Sequence, residues 1–122
     1  MKNHSPAFLA IVEDAKSRVT EVSAADSLAA AAKGQGIIVD VREESEYAAG
    51  HVAGAIHLGK GVIERDIEKV VPNPETPLYL YCGGGFRSAL AADNLQKMGY
   101  RCVYSVAGGW RAYVELGAPV EK

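Results

Sequence analysis

Cysteine is scarce in this chain: two in 122 residues, at positions 82 and 102. A domain of that length buries roughly two-thirds of its unfolded surface without a covalent staple. The two cysteines also lie in or beside different apolar runs, so two free thiols and a reducing compartment are expected. Long hydrophobic runs are missing too. No stretch approaches the ~20 apolar residues of a membrane span. The run from Ala7 to Val12 is ended at once by Glu13 and Asp14, so it is not read as a secretion signal. Charge of one sign is absent: 13 basic and 15 acidic side chains leave a formal net charge of −2. With no long run of like charge, neither nucleic acid nor an anionic membrane is an expected partner. There is no internal repeat and no low-complexity tract. A single ordinary globular domain remains, 48% hydrophobic and 23% charged, with the cytoplasm as its expected location.

What is present alternates. Ser5 and Pro6 start a helix over residues 6–17, on which Phe8, Leu9, Val12, Ala15 and Val19 recur at helical spacing. Val19 to Val22 reads as a short strand, and Ser23 with Asp26 opens a second helix that Gly34 and Gly36 end. Ile37 to Val41 is an unbroken β-branched run, the pattern of a strand buried on both faces. A helical turn over 43–49, a weak strand at 55–58 and a short helix around Val62 to Val70 follow. A strand at 78–81 leads to a helix at 88–98, with Leu90, Ala91, Leu95 and Met98 on its inner side. A strand at 101–106 and a last helix carrying Trp110, Tyr113 and Leu116 complete the chain. Such alternation predicts an α/β fold, a parallel sheet covered on both faces, with a ligand site beyond the carboxyl ends of the strands.

Cys82 falls at that place, at the end of the strand Leu78-Tyr79-Leu80-Tyr81. Gly83, Gly84 and Gly85 let the backbone turn tightly and gather its amides. A helix starting at Ser88 would aim its free N–H groups and its positive dipole end at the same point, and Arg87 adds a full charge. A cysteine at a strand end is commonly inert packing. The glycine run and the arginine favour a thiolate instead, and mark Cys82 as a nucleophile.

Blocks along the chain then carry a resemblance. Ile38-Val39-Asp40-Val41-Arg42-Glu43 is followed by Glu46-Tyr47 and by Gly50-His51-Val52-Ala53-Gly54-Ala55-Ile56-His57. Tyr81-Cys82 with its loop to Arg87-Ser88, and Val106-Ala107-Gly108-Gly109-Trp110, come next in order. Over residues 19–119 the sequence resembles a single-domain rhodanese-like sulfurtransferase. Residues 1–18 lie outside the shared pattern, and periodicity alone reads them as a helical extension. The resemblance implies a three-layer α/β/α fold with a five-stranded parallel sheet, with 19–122 as the rhodanese-like domain. It also implies a persulfide carried on Cys82, with Arg87 as the second catalytic residue. Gly83, Gly84, Gly85, Phe86, Ser88 and Arg42 are the expected substrate-binding residues. The expected donor is a small sulfur anion such as thiosulfate; the acceptor is cyanide or a cellular thiol, a thioredoxin-like or other protein acceptor included. The cycle needs no metal and no organic cofactor.

Phosphate cradles also combine a cysteine, loop amides and an arginine. Cysteine-dependent phosphatases and arsenate reductases place five residues between cysteine and arginine; here there are four, Gly83 to Phe86. The smaller loop suits a sulfur atom better than a tetrahedral phosphate. A non-catalytic module, or a persulfide carrier or redox module serving one partner, is the alternative within the same fold. Blander roles are expected elsewhere. Asp40 and Arg42 end the neighbouring strand and either reach the site or act structurally, Asp40 by capping backbone amides and Arg42 in an ion pair. His51 and His57 are read as structural hydrogen-bonders, and His4 as part of a disordered terminus. Cys102 is read as a core thiol in mid-strand. Trp110 packs the last helix on the sheet, and Phe86 shapes the pocket mouth.

Overall fold

The computed structural model describes residues 4–122. Ser5 caps α1 (Pro6–Lys16) by accepting the Phe8 N–H on its hydroxyl at 3.1 Å, with proline at the first helical position. β1 (Thr20–Val22) follows, and Ser23 caps α2 (Ala24–Ala32) through the Asp26 N–H at 3.0 Å. Then come β2 (Ile37–Asp40), α3 (Glu44–Ala49), β3 (His51–Val52), β4 (Ile56–His57) and α4 (Ile63–Val70). β5 (Leu78–Tyr81), α5 (Phe86–Lys97), β6 (Val103–Val106), α6 (Gly109–Leu116) and β7 (Val120–Glu121) complete the order.

Five strands form one parallel sheet in the order β1-β6-β5-β2-β4, as the alternation of elements predicts. Side chains alternate across it. Val39, Leu78, Leu80, Cys82 and Val103 point to one face, where Ile63 and Ile67 of α4 and Ala91, Ala92 and Leu95 of α5 cover them. Ile38, Tyr81 and Val106 point to the other face, against Ala24 of α2 and Tyr113 of α6. Three layers result. α1 packs on the outside of α5, where Arg18, just beyond its end, donates to the Asp93 carboxylate at 2.8 and 3.0 Å. Among the described residues no helix is long and apolar enough to cross a membrane.

Several expectations are corrected. A second, two-stranded antiparallel sheet joins His51 to Glu121 and Val52 to Val120. Strands of two residues are too short to show a period, and the pairing is long-range. α5 begins at Phe86 rather than Ser88, so Phe86 and Arg87 belong to its first turn. Met98 is exposed rather than turned inward. β6 starts at Val103, which leaves Cys102 half-buried in the bend before the strand, a free thiol like Cys82. His4 is packed edge-on against Phe86, with ring centroids 4.8 Å apart, and does not dangle.

Candidate active site

Cys82 follows the last residue of β5, where strand alternation turns its side chain toward α5; it is 1% exposed. Its sulfur accepts the N–H groups of Gly85 at 3.1 Å and Ser88 at 3.4 Å. As a thiol it donates to Ser88 Oγ at 3.5 Å. Its main-chain carbonyl is held from the opposite side, accepting the Trp110 N–H at 2.7 Å, and the Gly83 carbonyl accepts that of Arg111 at 3.4 Å. Two helix N-termini therefore converge on one residue, α5 on the sulfur and α6 on the carbonyl. Both direct amides that lack a partner within the helix, and the positive end of a dipole, at it.

The glycines divide by role. Gly85 is the N-cap of α5 with φ +102°, a conformation that side chains with a Cβ rarely adopt. Gly109, at φ +49°, lies so close to the β5 end that a Cβ there would collide with the Cys82 carbonyl oxygen. Gly83 and Gly84 have no positive φ; a Cβ at Gly83 would lie 3.4 Å from Arg87 Nη2, and one at Gly84 would meet nothing within 4 Å. The tight turn thus rests on one loop glycine rather than three. Phe86 is turned away from the cradle onto α1, among His4, Phe8 and the Lys16 ammonium, which lies 5.2 Å from its ring centroid.

Arg87 is not a lone cation. Its guanidinium donates to both oxygens of Glu46 on α3, at 2.9 and 3.3 Å. That pairing holds the Glu46 carboxyl below the usual carboxylate range. It also raises the Arg87 pKa, the Glu46 hydrogen bond first and the nearby Cys82 charge contributing less. Arg42, expected among the substrate-binding residues, has its guanidinium enclosed elsewhere. It donates to both Asp40 oxygens and to the Gly50 carbonyl, and lies 4.6 Å from the Trp110 ring centroid. Burial works against its charge, but the Asp40 bonds prevail and its pKa is raised. Arg42 thus stands 4% exposed in a structural ion pair. Tyr81 completes that network, donating its hydroxyl to Asp40 at 2.8 Å while accepting the Val52 N–H at 3.1 Å. The network fixes the residue immediately before Cys82. His51 and His57 bond main-chain carbonyls, those of Tyr47 and Arg42.

Three further contributors to this arrangement carry little or no local signal in the sequence. Glu46 stands in one of the family-like blocks, but 41 residues separate it from Arg87 and nothing local in the sequence points from one to the other. Ser105 is a polar residue at an inward-facing position of an otherwise apolar strand, 2.8 Å from Ser88 Oγ. The amide of Trp110 carries no sequence signal beyond the Gly108-Gly109 pair before it.

The chain is similar to known proteins in sequence and in fold. Across 80 residues, 63% of the chain and 73% of the relative, it is 35% identical to the thiosulfate sulfurtransferase GlpE of Coxiella burnetii. A solved structure from Rhodopseudomonas palustris, described as of unknown function and a possible tyrosine phosphatase, superposes with a TM-score of 0.83 at 30% identity. It covers 99% of this chain and 98% of that one. The polysulfide-sulfur transferase homodimer of Wolinella succinogenes gives a TM-score of 0.80 at 28% identity, over 94% and 87% of the two chains. The rhodanese-like domain matches residues 23–116, strand end, cradle and flanking helices included, and the chain belongs to that family.

Proposed function

We propose that the protein transfers a sulfane sulfur from a small anionic donor, thiosulfate or a close analogue, to a thiophilic acceptor through a persulfide on Cys82. The observation that carries this reading is the convergence of the Gly85 and Ser88 N–H groups on the Cys82 sulfur. Amides fixed in place before the reaction stabilise an anion without reorganising. The thiolate attacks the outer sulfur of thiosulfate; a new S–S bond forms, the old one breaks, and sulfite leaves with the bonding pair. The negative charge then rests on the terminal sulfur of Cys82–S–S⁻. Cyanide or a thiolate attacks that sulfur, leaves as thiocyanate or a new persulfide, and returns Cys82 as thiolate. Arg87 draws the donor in and holds its anionic end. The GlpE relative acts on thiosulfate and the Wolinella succinogenes neighbour on polysulfide, by their names, which supports sulfur anions as the substrate class.

The possible-phosphatase description of the Rhodopseudomonas palustris neighbour raises a second reading. Against it stands the loop of four residues between Cys82 and Arg87, closed by Gly85 as helix cap. The amides that would cradle a phosphate close here on the sulfur itself. The deciding experiment is thiocyanate formation from thiosulfate and cyanide in wild type, Cys82→Ser and Cys102→Ser. Activity lost only in Cys82→Ser, with a protein-bound extra sulfur in the intact mass after donor treatment, is expected. Wild type that turns over no sulfane donor and retains no sulfur, yet hydrolyses an aryl phosphate, would refute the proposal.

A further inference from the structure

Besides the amides, the Cys82 sulfur meets one hydroxyl, and that hydroxyl leads inward. Ser88 Oγ lies 3.5 Å from the sulfur and 2.8 Å from Ser105 Oγ, and both serines are fully buried. Ser105 stands two residues after Val103 on β6, so alternation turns it to the α5 side of the sheet. A hydroxyl at such a position is costly to bury unless it is bonded. Among the described residues, Ser105 Oγ has Ser88 as its side-chain partner, and Ser88 Oγ has Ser105 and Cys82.

The hydrogens in this line decide its preference. Three heteroatoms joined in a row offer two links. A thiol brings the polar hydrogens to three, and one finds no acceptor within the row. A thiolate leaves two: Ser105 donates to Ser88 Oγ, Ser88 donates to the sulfur, and both links are filled. We propose that Ser105 is a positioning residue for Cys82, aiming the Ser88 hydroxyl hydrogen at the sulfur and favouring the anion, whose proton passes to solvent water. This rests on Cys82 being the reactive group of the proposed function, and is independent of which donor or acceptor is used. The other charged or titratable groups on the elements that neighbour Cys82 keep their own partners when Ser105 is changed. They are Arg87 on α5 with Glu46 on α3, the Asp40–Arg42 pair with Tyr81 beside it, and His4 and Lys16 around Phe86.

The test follows the rate of Cys82 alkylation by iodoacetamide against pH, in a Cys102→Ser background so that one thiol reacts. Ser105→Ala is expected to move the rising limb to higher pH and slow alkylation on that limb about threefold to tenfold, the worth of one hydrogen bond. Ser105→Thr keeps a hydroxyl and retains the wild-type profile. In a Ser88→Ala background the same Ser105→Ala change adds nothing, because the line is already cut. Superimposable wild-type and Ser105→Ala profiles, a threonine variant that follows the alanine one, or an undiminished effect without Ser88 would each overturn the proposal. If Ser105→Ala loses its cooperative urea transition, Ser105→Thr against the isosteric Ser105→Val makes the same comparison. An absence of thiocyanate formation alongside the expected alkylation profiles would refute the sulfur-transfer reading alone.

Discussion

A methyl group added at Gly109 tests whether α6 holds Cys82 in place. The backbone there has φ +49°, and a side chain in that left-handed region costs about 1–2 kcal/mol. The new Cβ would collide with the Cys82 carbonyl oxygen and lie 2.9 Å from its carbon and 3.1 Å from the Gly83 carbon. All are backbone atoms, unable to rotate away, so overpacking adds about 1–3 kcal/mol. Relief requires α6 to retreat from the end of β5, stretching the 2.7 Å bond from the Trp110 N–H to the Cys82 carbonyl. Gly109→Ala should therefore lose about 2–5 kcal/mol and roughly 8–20 °C in Tm. A displacement of the sulfur by about 1 Å lowers turnover on the order of a hundredfold. Gly117→Ala is the control, because Gly117 has φ +78° and nothing within 4 Å of the added carbon. It should cost about 1 kcal/mol with turnover unchanged. Urea titration and thiocyanate formation measure the two quantities. A Gly109→Ala protein with wild-type turnover, or a Gly117→Ala protein as inactive as Gly109→Ala, would refute the reasoning.

Other perturbations follow from the same geometry. Tyr81→Phe leaves a buried Asp40 oxygen and the Val52 N–H each short of a partner, which should cost about 2–3 kcal/mol in urea unfolding. Asp93 is held below the usual carboxylate range, first by its Arg18 hydrogen bond. Its contribution is therefore present above the unfolded value of about 3.9 and lost as pH falls through the lower folded value. Asp93→Asn should be less stable than wild type at neutral pH, with the gap closing below about pH 4; parallel slopes on acidification would count against the pair. Arg87→Lys replaces a two-pronged fork by a point charge and should lower kcat/KM for thiosulfate by about tenfold or more, read in the thiocyanate assay.

The parts of this fold that show in sequence are those with a local period or a local breaker. The β-branched run Ile37 to Val41, the glycines around helix ends and the Ser5 and Ser23 caps each act within a few residues, so the helices and the five parallel strands are legible. Pairings across long sequence separations are not. His51 with Glu121, Arg87 with Glu46 and Ser88 with Ser105 join segments 17 to 70 residues apart, and nothing in either member names the other. Gly83 to Gly85 read as three equivalent hinges, whereas only at Gly85 is φ positive. Arg42 shows why a charge near a site is ambiguous: the Asp40 two residues before it, together with Trp110 far along the chain, draws it into the packing.

The Arg87–Glu46 pair also changes what it means for a donor to enter. The arginine already has a counter-ion, so under the proposed chemistry an incoming anion trades places with a carboxylate, and its affinity is the difference between two ion pairs. A monovalent anion such as chloride gains little from that exchange, whereas a dianion brings a second charge to win it. Under the proposed chemistry the trade reverses once the sulfur has been handed over. The returning carboxylate competes with sulfite for the same guanidinium, and the protein's own anion helps to expel the product.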